Sequence, residues 1–222
     1  LMDFDIPLQL SHTVKRIIGH KRVEAVETVR VDERWNPIPG SEEIIPCDTM
    51  LLSVGLIPEN ELSRQAGVLI DPLTGGPFVD DSFQTNIPGI FAAGNVVHVY
   101  DLVDWVSEAG RLAGISAARF AAQVRRKENR LVPLLAGENV RYVVPHRMDR
   151  ETLAETPVRL QLRVRQPIES PVWVEVRNRT NLIARKGELY ARPGEIITLE
   201  IPTTAYDEVQ KADELTLAVV KR

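Results

Sequence analysis

Between residues 158 and 165 the chain alternates without a break. Val158, Leu160, Leu162 and Val164 are aliphatic, while Arg159, Gln161, Arg163 and Arg165 are polar. A side-chain period of two belongs to a β-strand, because successive Cβ atoms point to opposite faces. The pattern predicts a strand with one face packed and the other in water. Related runs follow at residues 172–176, at Ile197, Leu199 and Ile201, and at Leu215, Leu217 and Val219, with a further one at 181–186. Short strands separated by turns argue for a small all-β, sandwich-like domain. Trp173, out of phase with the apolar positions of its run, is expected on the outer face as a docking surface.

The first part of the chain follows another rule. From residue 102 to 126 small residues recur every fourth position, at Ala109-Gly110, Ala113-Gly114, Ala117-Ala118 and Ala121-Ala122. On a helix that spacing makes one smooth stripe, which lets the backbone approach a sheet or ligand closely. Upstream, residues 48–54 form an unbroken apolar run, expected as a strand buried on both faces. Residues 59–66 suit a short helix stopped by Gly67. Residues 6–10, 14–18, 23–31, 42–46, 78–79 and 89–92 read as short strands. Residues 133–139 look like a linker, which predicts an α/β domain over 1–135 and the β-domain over 136–222.

Composition narrows the function. With 27 basic against 31 acidic side chains the net charge is -4, which gives no reason to expect nucleic acid as a partner. No run approaches the ~20 apolar residues of a membrane span. The single cysteine, Cys47, allows no disulfide and suits a reducing, cytoplasmic setting. His12, His20, His98 and His146 lack metal-ligand spacing. Arg125, Arg126 and Lys127 complement the dipole at a helix C-terminus.

The block with most chemical content is Thr85-Asn86-Ile87-Pro88-Gly89-Ile90-Phe91-Ala92-Ala93-Gly94-Asn95-Val96. A short apolar strand ends in Ala-Gly-polar just before the small-residue helix. That pattern suits a ligand site at the carboxyl end of a strand. Gly94 allows close approach of the backbone, and the helix N-terminus offers positive potential.

These residues resemble the second FAD motif of pyridine-nucleotide-disulfide oxidoreductase-like flavoproteins, the thioredoxin reductase relatives. The match holds at every element but one: the family's aspartate, which hydrogen-bonds the flavin ribityl hydroxyl, is Asn95 here. Asparagine can still make such a bond. Upstream, Gly55 and Pro58 keep the pattern of the segment that leads from the NAD(P) domain back into the FAD domain. Residues 97–105 are similar to flavoprotein subunits encoded beside anaerobic glycerol-3-phosphate dehydrogenase-type proteins. Aligned through Ala109-Gly110, Val103, Asp104 and Trp105 stand where thioredoxin reductases carry Arg-Gln-Ala beside the flavin.

The resemblance implies partial FAD- and NAD(P)-binding domains of the two-dinucleotide type, followed by the β-domain. It implies cofactor contacts from Gly55, Gly94, Asn95, Val96, Val103 and Asp104. FAD is the implied cofactor and NAD(P)H the electron donor, with a redox partner subunit or protein as acceptor. No Gly-x-Gly-x-x-Gly occurs in the 222 residues, so the chain reads as a C-terminal portion, inactive and without FAD on its own. The other expectation is a non-catalytic assembly module that docks a partner through its β-domain. Surface that packs on other domains of the family would favour self-association. No residue is assigned a catalytic role and none a metal.

Overall fold

A hairpin whose middle strand carries the apolar residues forms the first unit. The computed structural model describes residues 4–123 and 131–222, which divide into Leu1–Gly55 and Leu56–Arg222. In the first, β1 (His12–Ile18), β2 (Ala25–Arg30) and β3 (Glu43–Pro46) make an antiparallel sheet in that order. Ala25, Val26 and Val29 on β2 are buried, and Lys15 and Arg16 on β1 pair with Glu42 and Glu27. Residues 6–10, expected as an edge strand, form none.

Residues 48–54 depart from expectation. They form no strand, and Leu51 is 91% and Val54 88% exposed. A strand buried on both faces needs paired neighbours and a layer on each side. Among the described residues no strand pairs with this stretch, so Leu51, Leu52 and Val54 stay in water.

The second unit starts with α1 (Glu61–Gln65), continues through turns to α2 (Val103–Ala121), and then becomes mainly β. Residues 78–79 form no strand, although the flanking Pro77 and Asp80 bridge to Ile70 and Arg147, and within 89–92 only Phe91 bridges, to Gln84. Arg125, Arg126 and Lys127 lie outside the described residues.

Among the described residues ten strands and α-helices follow α2, and they were expected only in part. They are β4 (Leu131–Ala136), β5 (Val140–Val144), β6 (Arg147–Asp149), α3 (Thr152–Glu155), β7 (Val158–Val164), β8 (Val172–Asn178), β9 (Asn181–Glu188), β10 (Ile197–Ile201), α4 (Tyr206–Gln210) and, last, β11 (Leu215–Lys221). One sheet runs β10-β7-β5, the other β6-β4-β11-β8-β9, with β11 and β4 parallel. Leu160, Leu162 and Val143 from the first sheet and Val132, Val174 and Leu217 from the second share one buried cluster. Residues 133–136 of the expected linker thus belong to β4, with Val132 and Leu134 buried, and the division at 135/136 falls within that strand.

The polar face of β7 is not in water. Gln161 is buried, and the Arg163 side chain is 13% exposed. What covers that face is the stretch from His98 into α2, through Arg163 to Val99 and Asp101 and through Arg159 stacked 5.2 Å over Trp105. Further ties bind residues 79–85 to the sheets. His146 N–H donates to Val79 O, Arg147 to Thr85 O, and Asp149 N–H to Asp81 Oδ1. Asp81 Oδ2 also accepts from Thr152 Oγ1.

Candidate functional site

The turn at Gly94–Val96 is one turn of 3₁₀ helix. Gly94 is buried with φ 73°, the left-handed region that disfavours other residues. A Cβ added there would lie 3.2 Å from Val106 Cγ1 on α2, so a glycine lets the turn sit tight against the helix. The next side chain, Asn95, is exposed, and its Oδ1 accepts from Tyr100 N–H at 3.1 Å. Val96 O accepts from Asn60 Nδ2 at 2.8 Å.

Asn60 escaped the sequence reading. It is buried, and its Nδ2 also donates to Gly75 O at 2.9 Å, while its Oδ1 accepts from Ser63 Oγ. One amide thus fastens α1, the 71–76 turn and the Gly94–Val96 turn together. The only signal in the sequence was its place two residues after Pro58, in the segment that carries Gly55.

Helix α2 begins beside this turn. Its N-cap, Leu102, supplies no side-chain acceptor, so the first backbone N–H groups have no side-chain cap. Val103 and Asp104 are both exposed in that first turn. No side chain, Asp104 included, makes a cap hydrogen bond there. Gly94, Asn95 and Val96 are therefore brought close to the start of α2. Gly55 ends the other unit, exposed at φ 85°.

Behind the turn lies an aromatic cluster. His98 is 1% exposed, with its ring centroid 4.2 Å from Tyr100 and 5.8 Å from Tyr142. Tyr142 Oη lies 3.4 Å from His98 Nδ1 and accepts from Arg163 Nε at 3.0 Å. His98 Nε2 and Tyr100 Oη have no hydrogen-bond partner among the described residues. Burial, aided by the Arg163 guanidinium, pushes His98 down to about 4. Burial likewise pushes the Tyr100 phenol above its usual range. Both groups stay neutral near pH 7, which suits a structural role.

A second polar link joins the 71–76 turn to the sheets. Val79 N–H donates to His146 Nδ1, so Nε2 carries the proton that faces Asp71 Oδ2 at 3.3 Å. Burial alone would raise the Asp71 carboxyl. The bonds from His146 and from Leu73 N–H outweigh it and hold it below the usual range.

Beside α2 a cavity of about 320 Å³ is lined by Tyr100, Trp105, Leu112, Phe83, Pro157 and Val158, among others. Its charged rim is paired internally, Arg159 with Glu200 and Arg111 with Glu108. Among the described residues no group of His, Cys, Asp or Glu could hold a metal ion. No helix among them is long and apolar enough to cross a membrane.

Residues 1–110 match the family model of pyridine nucleotide-disulphide oxidoreductases. A thioredoxin reductase of Listeria innocua is 32% identical over 118 residues, which are 52% of this chain and 34% of the relative. The small chain of glutamate synthase [NADPH] of Escherichia coli is 33% identical over 113 residues, 43% of this chain and 23% of the relative. An NAD(P)H sulfur oxidoreductase (CoA-dependent) of Pyrococcus abyssi is 32% identical over 98 residues, 44% and 19% of the two chains. The chain thus spans about a third or less of the length of these relatives.

Proposed function

We propose that this protein, whose residues 1–110 match the pyridine nucleotide-disulphide oxidoreductases, supplies the ribityl and ring side of an FAD site in an NAD(P)H-dependent oxidoreductase. The observation that carries this is the Gly94–Val96 turn. A buried left-handed glycine, an exposed amide and the N-terminus of α2, free of a side-chain cap, lie together on one edge. Close backbone approach, a short polar side chain and backbone donors suit a polyol next to a planar ring with a polar edge. When bound, the flavin supplies the redox chemistry, and this chain supplies position and hydrogen bonds. Val103 and Asp104 border the ring edge, and Asp104 adds a negative charge that disfavours a second one there. Gly55 belongs to the passage between the two dinucleotide-binding regions. The pyrophosphate and adenine side of the site comes from residues outside this chain. The setting is cytoplasmic, in keeping with the lone thiol, Cys47.

Electrons then pass to a partner subunit or redox protein, as the subunit name of one relative suggests. A second reading, an assembly module without flavin, draws on one observation. On the edge strand β9 and just after it, Leu182 is 43%, Leu189 77% and Tyr190 38% exposed, a surface that fits a docked protein or a second copy.

Visible absorbance after incubation with FAD and gel filtration tests the division of the site. The expected result is no retained flavin bands and no NAD(P)H oxidation by this chain alone. Retained bands would mean that the chain completes the pocket itself, and the assignment of its other side elsewhere would fall.

A further inference from the structure

An asparagine side chain presents an acceptor at one end and a donor at the other. Which end faces a ligand is decided by what holds the opposite end. At Asn95 the answer is fixed by chemistry: the partner is the backbone N–H of Tyr100, and only Oδ1 can accept from it. The exposed end of Asn95 is therefore the Nδ2 amide.

The position of that N–H is in turn held from the C-terminal sheets. Arg163 on β7 donates to Val99 O at 3.0 Å and to Asp101 Oδ1, the residues on either side of Tyr100. Its Nη1 donates to Pro193 O and its Nε to Tyr142 Oη. Asp101 Oδ2 accepts from Ile196 N–H just before β10. The stretch 99–101 is thus clamped on both sides by the sheets, and its middle N–H orients Asn95.

We propose that Asn95 meets its ligand as a hydrogen-bond donor through Nδ2, and that Arg163 is the positioning residue that sets this orientation. The inference rests on the reading that the Gly94–Val96 turn faces the cofactor. An aspartate at this position would offer only an acceptor. Asn95 instead requires a lone pair opposite it, such as that of a polyol hydroxyl whose own proton points elsewhere. In this view the β-region is part of the cofactor site's scaffold, and it specifies the polarity of one contact.

Nitrogen-15 NMR on the whole chain tests both halves. Tyr100 N–H is expected to exchange about tenfold faster in Asn95→Leu and in Arg163→Gln than in the unaltered protein, with Val174 and Val176 unchanged. Asn95→Asp keeps an acceptor for Tyr100 and is expected to keep its protection. Should Arg163→Gln fail to fold, Asp101→Asn tests the same clamp. Equal Tyr100 exchange in all forms would overturn the orientation. With FMN as the probe, the Asn95 side-chain NH₂ resonances are expected to shift together with Gly94 N–H. A shift of Gly94 without the Asn95 NH₂ would leave the flavin reading standing and overturn the donor assignment. If neither moves, the ligand half falls with the reading it rests on, and the exchange rates still decide the orientation.

Discussion

Replacing Gly76 by alanine is expected to lower the unfolding free energy by about 3 kcal/mol, the upper end of typical overpacking costs. A Cβ at residue 76 would lie 1.8 Å from Val97 O and 2.6 Å from Val97 Cα. Both are backbone atoms, so no side-chain rotation relieves the clash. Ordinary carbon contacts sit at roughly 3.5–4.0 Å, so the two segments must part by well over an ångström. Separation breaks the arrangement in which Asn60 bonds Gly75 O and Val96 O together. The damage therefore reaches the Gly94–Val96 turn. Urea denaturation measures the loss. Gly110→Ala is the control, since a Cβ there meets nothing within 4 Å and the residue lies in mid-helix. That change is expected to stabilise by about 0.5–1 kcal/mol.

Acidification from pH 7 to pH 5 is expected to cost about 2 kcal/mol of stability through His98 alone. Its folded pKa lies near 4, against an ordinary value of 6.5. Between those values the unfolded chain binds a proton that the folded chain refuses, so stability falls as the pH drops through 6.5 and levels off near 4. The groups around the ring agree with that sign. Arg163 and His146 oppose a charge there, while Asp101 and Gln161 favour it less than burial disfavours it. Carboxylates titrate over part of the same range. The difference between the unaltered protein and His98→Gln, in urea denaturation at both pH values, isolates the histidine. A variant with the same slope would show that His98 is protonated in the fold.

Much of the β-region could be read from side-chain period. The alternation at 158–164 gave β7, and similar runs gave β8, β9, β10 and β11. What the period cannot tell is which polar face meets water. Arg163 and Gln161 look solvent-facing in the sequence, yet the 98–112 stretch covers them, a contact between residues 64 apart at Val99 and Arg163. Strand β4 was hidden by Pro133, which reads as linker but sits at an exposed position with Val132 and Leu134 inward. Residues 48–54 fail in the opposite sense. An apolar run names a buried strand only if neighbouring strands are there to bury it. At the candidate site, the tight turn at Gly94 and Asn95 was legible because a short apolar run ending in Ala-Gly-polar is a local pattern. Asn60, Asp101 and Arg163 were not, since single polar residues carry no period and their partners are distant in sequence, 36 residues in the case of Asn60 and Val96.

Residue-resolved NMR during titration with FAD tests the assignment of the cofactor edge most directly. The expected result is weak, saturable binding that moves the backbone resonances of Gly94, Asn95, Val96, Val103 and Asp104 together and leaves the shared core of the two sheets still. Perturbations absent from those residues, or confined to the cavity lined by Trp105 and Leu112, would contradict it.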